Sequence, residues 1–433
     1  MVHALQRDVN AILKWHINIA LIAWSCYTEL MKYIHRDIEK KVKQLVMAFP
    51  SLAITGPRQS GKSTLLLNTF SEYTYITLDD PLTREQALSD PLFFLNEIGE
   101  KAVIDEIQYA PRILSYIKMK IDKNRGTKGM YIFTGPQQFN MIKDLGDSLA
   151  GRIALLDLLP FSISEKRKAI KMKDSLDCFV HAALKGSYPE LVVDSSMDIH
   201  SWYASYIQTY LERDVRNIYN IGNLRNFQQF TRLLAGRCSQ LLNLSEFSKA
   251  LGVSVPTIKN WLSILEASRI IYLLPPYYNN LGKRTTKSPK VYFMDIGLVC
   301  YLTGIRDKAH LLQGPMAGAL FENFCVQEII KVFINKGHRP GLYYVRTSNN
   351  LEIDLLIDLG AQSLTPVEIK LNKTPSVGMG SNIRRFRELF AAINIQKGLI
   401  VSLTDKTIPL SSDLTAITFD DLIQKINKSI GSS

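Results

Sequence analysis

A glycine-rich turn between two apolar runs is the feature that most constrains how this chain folds. Residues 50–67 read PSLAITGPRQSGKSTLLL, so the apolar run LAIT leads into the turn and an apolar helical stretch follows it. A strand, a G-x-x-x-x-G-K-S loop and a helix in this order indicate a phosphate-binding loop, or P-loop, within a parallel α/β domain. The loop comprises Gly56, Pro57, Arg58, Gln59, Ser60, Gly61, Lys62, Ser63 and Thr64.

The residue types in this loop predict a nucleotide site. Glycine permits backbone conformations that other residues resist, and the loop amides and the helix N-terminus can face phosphate groups. We expect Lys62 to reach the β and γ phosphate oxygens and Ser63 to ligate Mg²⁺. A chance match in an ordinary turn is a weak alternative, because the motif has its strand and its helix. ATP and Mg²⁺ are therefore the expected ligands.

A pair of carboxylates follows a second apolar run, in KAVIDEIQ at residues 101–108. Asp105 is expected to hold Mg²⁺ through water, and Glu106 to orient and polarise the attacking water. Adjacent carboxylates at a strand end are commonplace, but paired with a P-loop they form the second half of a nucleotide site. The order Asp-Glu favours hydrolysis over phosphate transfer to a small molecule.

Two further residues are candidates for this site. Thr134 ends the apolar run MYIFTG and either lies between the carboxylates and the γ-phosphate or caps its strand. Arg152, in SLAGRIALLDL, is either an arginine finger acting within or between subunits or the partner of a surface carboxylate.

The blocks along the chain resemble those of a large family of bacterial and archaeal AAA+ ATPases with a nuclease-like C-terminal domain of undefined function. The resemblance runs from about residue 31 to about residue 400. Pro136 departs from it, because the family usually carries Ser there, and Thr134 stays the candidate sensor. The resemblance implies ATP binding and hydrolysis, and it leaves the biological role undefined. The blocks include GPRQSGKSTLL, YITLDDP, VIDEIQ, TGPQQF, SLAGRI, LPFSISE, GSYPEL, YLERDVR, KVYFMDIGL, LFEN, LEIDLLI and PVEIK.

A helix-turn-helix pattern occupies residues 244–265, LSEFSKALGVSVPTIKNWLSIL. The strand-like runs IIYLLPPYY and KVYFM follow and flank GKRTTKSPK, which predicts a basic wing. One interpretation is contact with DNA phosphates, and the other is protein docking. The candidate DNA contacts are Lys259, Lys283, Arg284, Lys287 and Lys290.

The last third of the chain carries a second candidate site. Glu322 lies in an apolar helical stretch, Asp354 in LEIDLLI, and Glu368 and Lys370 in PVEIK. Strand alternation puts Glu368 and Lys370 on one face, as in the restriction-endonuclease-like fold. In that arrangement Asp354 and Glu368 bind Mg²⁺, Lys370 stabilises charge on the phosphate or aids the attacking water, and Glu322 supports them. The alternative is that these carboxylates are structural.

Length and composition indicate how many domains to expect and what kind of partner and compartment suit the chain. A chain of 433 residues exceeds the roughly 250 to 300 at which one core stops growing, so several domains are expected. The formal charge of +12 suits an anionic partner, and five widely spaced cysteines fit a reducing cytoplasm. Residues 11–30 are apolar, but Lys14 and Glu29 interrupt them, so no stable membrane insertion is expected.

We therefore predict an α/β protein of several parts: an N-terminal extension (1–30), a P-loop AAA+ parallel-sheet domain (31–170), a helical lid or linker (171–240), a winged helix-turn-helix (241–305) and a restriction-endonuclease-like α/β domain (306–433). The expected function is ATP hydrolysis coupled to DNA binding or processing, with metal-dependent cleavage as a second activity. The alternative is a nucleotide-gated switch that docks a protein or forms a homo-oligomer.

Overall fold

The computed structural model describes residues 33–135, 149–209, 224–277, 288–347, 351–360, 363–390 and 393–431. The predicted N-terminal extension and the wing residues Lys283, Arg284 and Lys287 lie outside these ranges. Within them, no helix combines the length and apolar character needed to cross a membrane.

The P-loop part is a five-stranded parallel sheet. Its strands are β1 (Ser51–Thr55), β2 (Thr74–Thr77), β3 (Ala102–Asp105), β4 (Tyr131–Thr134) and β5 (Ile153–Asp157), in the spatial order β2-β3-β4-β1-β5. Strands β1, β3 and β4 are buried along their whole length, as their continuous apolar runs require. Because all the strands are parallel, the residues that follow them meet at one edge of the sheet.

Helices cover both faces of this sheet, namely α1 (Glu39–Ala48), α2 (Lys62–Thr69), α3 (Pro81–Ser89), α4 (Pro91–Glu97) and α5 (Ile113–Lys123). Alternate residues of β1 point to opposite faces: Leu52 and Ile54 pack with Leu65 of α2, and Ala53 packs with Leu114 of α5. This three-layer arrangement buries the sheet and leaves its carboxyl edge for chemistry.

A helical segment follows, with α6 (Ile163–Lys166), α7 (Ser175–Lys185), α8 (Pro189–Val193), α9 (Ile199–Thr209), α10 (Leu224–Ala235), α11 (Leu244–Leu251) and α12 (Val255–Ala267). Gly252, with φ of 64°, ends α11, and the Ser254 side chain accepts from the Thr257 N–H to cap α12. An antiparallel pair, β6 (Ile271–Leu274) and β7 (Lys290–Phe293), comes next. The helices and strands predicted around residues 244–293 are present.

The C-terminal part is built on a mixed sheet. Helices α13 (Ile296–Thr303), α14 (Lys308–Gln313) and the buried α15 (Ala317–Asn335) lead into it. Strands β8 (Leu342–Arg346), β9 (Glu352–Asp358) and β10 (Ser363–Ile369) run antiparallel, and β12 (Gly398–Val401) and β14 (Leu414–Ile417) continue the sheet parallel to β10. Short strands β11 (Asn394–Ile395) and β13 (Ile408–Pro409), with helices α16 (Ser381–Leu389) and α17 (Phe419–Gly431), complete it.

Candidate nucleotide site and a second carboxylate cluster

The P-loop lies against the end of β5 and needs its first glycine there. Gly56 has φ of 141°, and a Cβ on it would lie 2.2 Å from the Leu158 carbonyl oxygen. Gly61, with φ of 89°, immediately precedes α2. Both are conformations that L-residues resist, so the backbone requires glycine at the two positions where the motif has it.

Lys62 is held inside the loop. Its side chain is buried, and Nζ donates to the Gly56 carbonyl oxygen at 3.2 Å and the Pro57 carbonyl oxygen at 3.0 Å. The ammonium group therefore lies within the curve of the loop, at the first turn of α2, where the helix N-terminus also favours an anion. This position fits a contact to a nucleotide phosphate.

Asp105, at the carboxyl end of β3, is the centre of a hydroxyl cluster. Ser63 Oγ donates to Asp105 Oδ2 at 2.8 Å, and the hydroxyls of Tyr75 and Thr134 also donate to this carboxylate. Thr134 also accepts a bond of 3.3 Å from the Glu106 N–H. The predicted metal residues Ser63 and Asp105 are therefore adjacent. Their hydroxyl and carboxylate oxygens are the donors that Mg²⁺ prefers.

Glu106 has a left-handed backbone conformation and a raised side-chain pKa. Its φ of 57° is left-handed for a residue that is not glycine, a conformation typical of functional sites. Burial raises the pKa of Glu106, against the hydrogen bond from the Gln108 side-chain amide and the charge of Lys62. A half-buried carboxylate with a raised pKa is suited to accept a proton from water.

Arg152 lies at the opposite edge of the sheet. Its carbonyl oxygen accepts from the Ser51 N–H at the start of β1, and its guanidinium binds both Asp122 oxygens, at 2.8 and 3.1 Å. Five strand residues, about 16 Å, separate this edge from the P-loop. The structure shows the carboxylate-pairing alternative, and within one chain Arg152 is not beside the nucleotide site.

At the carboxyl edge of the sheet, beside the P-loop, the structure places two residues that the sequence analysis did not predict. Tyr75 reaches Asp105 only because β2 pairs with β3, which the sequence does not specify. Arg269, in the turn after α12, donates from Nε to Asp157 Oδ2 at 3.0 Å, and Asp157 Oδ1 accepts from Thr55 Oγ1 at 2.6 Å. The helix-turn-helix segment therefore touches the end of β5 beside the P-loop.

The second cluster lies in the C-terminal sheet, where Asp354 and Glu368 share one ammonium group. Lys370 Nζ lies 2.9 Å from Asp354 Oδ2 and 2.7 Å from Glu368 Oε2, and the Ile369 N–H also donates to Asp354 Oδ2. Three of the four residues predicted here are therefore in direct contact. Glu368 Oε1 is buried and receives no hydrogen bond from the described residues.

Glu322 joins this cluster from α15, together with a lysine from β7. Tyr292 OH donates to Glu322 Oε1 at 2.6 Å, and Lys290 Nζ lies 3.4 Å from the same oxygen and 3.0 Å from Glu352 Oε1. Lys290 was predicted to contact DNA phosphates, but this is wrong for the described geometry because its side chain is buried between carboxylates. Lys259, in contrast, is exposed on α12.

The carboxylates of this cluster differ in acidity. Burial opposes ionisation of Asp354, but the charges of Lys370 and Lys290 outweigh it, and the pKa of Asp354 is lowered. Burial and the negative charge of Asp354 raise the pKa of Glu368 to about 8, and burial raises that of Glu322 to about 7. At neutral pH the cluster therefore combines an ionised Asp354, a mostly protonated Glu368 and a Glu322 that is about half protonated.

These donors fit a small, hard cation only with help from a ligand. Among the described residues, no three His, Cys, Asp or Glu groups lie close enough together to hold a metal ion. Asp354 and the unpartnered oxygen of Glu368 supply two oxygen donors. Mg²⁺ is commonly bound by one or two carboxylates together with phosphate oxygens and water, so these residues fit such a site.

Comparison with known proteins identifies three segments. Residues 48–166 match the model of an AAA domain, and residues 177–309 and 317–422 match two domains of unknown function, DUF8612 and DUF4143. The uncharacterized proteins Rv2008c of Mycobacterium tuberculosis and Mb2031c of Mycobacterium bovis are each 27% identical over 391 residues, which is 90% of this chain and 84% of each relative.

Solved structures give more distant likenesses. The Walker-type ATPase PABY2304 of Pyrococcus abyssi is 15% identical, with 62% of this chain and 96% of that chain covered and a TM-score of 0.41. The Orc1 protein of Aeropyrum pernix, solved in complex with DNA, is 12% identical, with 63% and 93% covered and a TM-score of 0.29. These likenesses are too distant to assign a task. Residues 48–166 are therefore similar to an AAA domain, which agrees with the loop and carboxylate geometry described above.

Proposed function

We propose that this chain binds ATP with Mg²⁺ at residues 56–64 and hydrolyses it. The observation that carries this proposal is the contact of 2.8 Å between Ser63 Oγ and Asp105 Oδ2, with the half-buried Glu106 next in the chain. The P-loop helix and the third strand therefore bring a candidate metal-binding pair and a candidate base to one edge of the sheet.

Each residue has a distinct role in this proposal. Lys62 and the loop amides bind the phosphates, Ser63 and Asp105 hold the metal ion, and the ion neutralises phosphate charge. Glu106 orients water and accepts its proton, and Thr134, bonded to both Asp105 and the Glu106 N–H, fixes the relative position of the two acids. A finger role for Arg152 would operate only toward a neighbouring subunit of a homo-oligomer.

Two substitutions test the ATPase proposal. Lys62→Ala should abolish hydrolysis and weaken binding, because it removes a charge contact to the transferring phosphate. Glu106→Gln should still bind ATP but hydrolyse it at least about 100-fold more slowly, because the metal residue Asp105 remains while the base is lost. Turnover would be measured by phosphate release and binding by calorimetry.

The matched control is Lys123→Ala, which removes an exposed lysine from α5 of the same domain. It should hydrolyse ATP at the wild-type rate. Wild-type turnover in Lys62→Ala would disprove the ATPase proposal, and loss of ATP binding in Glu106→Gln would disprove the role given to Glu106.

We further propose that ATP hydrolysis is coupled to DNA, with cleavage by the C-terminal cluster as a second activity. The observation favouring cleavage is that Asp354 and Glu368 converge on Lys370 while one Glu368 oxygen stays without a donor. Asp354 and Glu368 would hold Mg²⁺, Lys370 would stabilise the phosphate charge, and Glu322 would support them. DNA contact would come from Lys259 and from the basic wing residues Lys283, Arg284 and Lys287.

The competing proposal is a nucleotide-gated docking switch without nuclease activity. It is favoured by the ammonium groups of the buried Lys290 and the partly exposed Lys370, which already neutralise the C-terminal carboxylates. Duplex binding measured across a salt series, with and without ATP, separates the two. Binding that depends on salt and nucleotide supports the DNA role, and no duplex binding supports docking.

A further inference from the structure

Arg36, which lies before α1, is a buried arginine that contacts the P-loop from outside the nucleotide motif. Its Nη1 donates to the Ser60 carbonyl oxygen at 2.8 Å, and Nη2 donates to the Leu159 carbonyl oxygen at 2.6 Å. Its Nε donates to Glu165 Oε1 at 2.9 Å, in an ion pair whose two side chains are almost fully buried. One guanidinium therefore ties the P-loop to residues 159–165, which we term the docking segment.

The docking segment is held on its other side by α15 of the C-terminal part. Lys331 Nζ donates to the Phe161 carbonyl oxygen at 3.0 Å, and the Ile163 N–H donates to Glu328 Oε2 at 2.8 Å. Lys331 and Glu328 also pair with each other at 2.7 Å, and both are buried. Arg36 binds the Leu159 carbonyl and Lys331 binds the Phe161 carbonyl, so the two contacts are only two residues apart in the docking segment.

Helix α15 also carries a residue of the C-terminal carboxylate cluster. Glu322 precedes Glu328 by six residues, which is about 9 Å along the helix axis. Most residues of this 19-residue helix are buried, so it is expected to move as a unit. A displacement of the docking segment would therefore be passed to Glu322.

We propose that Arg36 is a positioning residue that couples nucleotide binding at the P-loop to the placement of α15 and the C-terminal carboxylate cluster. This inference rests on the proposed nucleotide binding. A bound phosphate draws Lys62 away from the loop carbonyls, and the loop that rearranges includes Ser60, whose carbonyl Arg36 holds. Coupling is reciprocal, so a change in α15 docking alters nucleotide affinity by the same factor.

The test measures affinity for AMP-PNP with Mg²⁺ by calorimetry and hydrogen exchange of α15 with and without that nucleotide. In the wild type, AMP-PNP should slow exchange in the docking segment and α15. Lys331→Met, which touches no P-loop atom, should weaken AMP-PNP binding about fivefold or more and remove the exchange response of α15. Arg36→Lys, which keeps the charge but not the fork of donors, should have the same effect.

The matched control is Arg384→Met. It removes an arginine of the C-terminal part whose partners are Asp413 and Ser411, and which contacts neither the P-loop nor the docking segment in these hydrogen bonds. It should keep both the affinity and the exchange response. If Arg36→Lys and Lys331→Met behave like this control, the coupling proposal is wrong. A wild-type protein that binds no AMP-PNP would instead disprove nucleotide binding itself, so the two failures are distinguishable.

Discussion

Lys166 is a fully buried lysine whose charge the fold suppresses. Its Nζ donates to the Gly186 carbonyl oxygen at 2.6 Å, and burial lowers its pKa to about 7, although Asp295 and Glu328 oppose the shift. An unfolded chain holds the Lys166 proton up to a pKa of about 10.4. Between these values the unfolded state binds more protons than the native state, so this residue makes stability rise with pH.

Replacing Lys166 by Met should therefore change the pH dependence of stability. From pH 7 to 8.5 the wild-type free energy of unfolding should rise relative to that of Lys166→Met, by up to about 1.4 kcal/mol per pH unit. Urea denaturation at the two pH values measures this difference. Lys123→Met, which replaces an exposed lysine, is the control. If the difference in free energy of unfolding between wild type and Lys166→Met stays constant with pH, Lys166 is not neutral in the folded protein.

At the scale of residues, what the sequence predicts depends on how local the contact is. Lys62, Ser63 and the pair Asp105-Glu106 follow from motifs read within a few residues, and the structure brings them to one edge. Tyr75 and Arg36 act through elements that are distant in sequence, so no local pattern identifies them. The burial of Lys290, which the sequence assigned to the basic wing, also depends on a distant helix, α15.

At the scale of elements, periodicity and capping predicted the helices and strands around residues 244–293. The turn after α11 and the cap of α12 follow from Gly252 and Ser254, whose chemistry is local. The hairpin β6–β7 was predicted as strands, but all four residues of β7 are buried, because this strand packs against α15 and pairs with β6. Lys290, the last residue of GKRTTKSPK, therefore lies in the interior and not on a solvent-facing wing.

The basic wing makes a prediction at this scale. Neutralising Lys283, Arg284 and Lys287 should flatten the salt dependence of duplex binding, since each lost phosphate contact removes about 0.9 from the slope of log K against log salt. Fluorescence anisotropy across a salt series measures this slope. Neutralising the exposed Lys40, Lys43 and Lys123 removes equal charge from the P-loop part and should leave the slope nearly unchanged. A similar slope for both triple variants would favour the docking interpretation.

At the scale of the whole molecule, the predicted segments are less separate than their sequences suggest. One continuous hydrophobic core extends from Leu159 through the helical segment to Ile430 of α17. The Lys290–Glu322 and Arg269–Asp157 pairs add polar contacts between segments. Patterns predicted the P-loop part and several elements, whereas packing between segments depends on side chains that meet only in three dimensions.

Burial between the segments also determines the pH dependence expected of the C-terminal cluster. Glu368 must lose its proton to bind a metal ion, and with a pKa of about 8 it is mostly protonated at neutral pH. Below that pKa, each pH unit leaves about tenfold fewer sites ready to bind metal. Cleavage of nucleic acid should therefore increase as the pH rises toward 8, require Mg²⁺ or Mn²⁺, and be absent with Ca²⁺, whose coordination is larger and looser.

Asp354→Asn is the decisive substitution, because it keeps the shape of the side chain and removes the charge that Lys370 and a metal ion would share. This variant and Lys370→Met should fold and fail to cut, as measured on single-stranded, duplex and branched DNA with each metal. Asp413→Asn, which alters a half-exposed ion pair in the same part of the chain, should cut as the wild type does. Metal-dependent cleavage that survives Asp354→Asn would disprove the proposed nuclease site. If the wild type cuts none of these substrates, the carboxylates with Lys290 and Lys370 are better explained as a structural cluster beneath a docking surface.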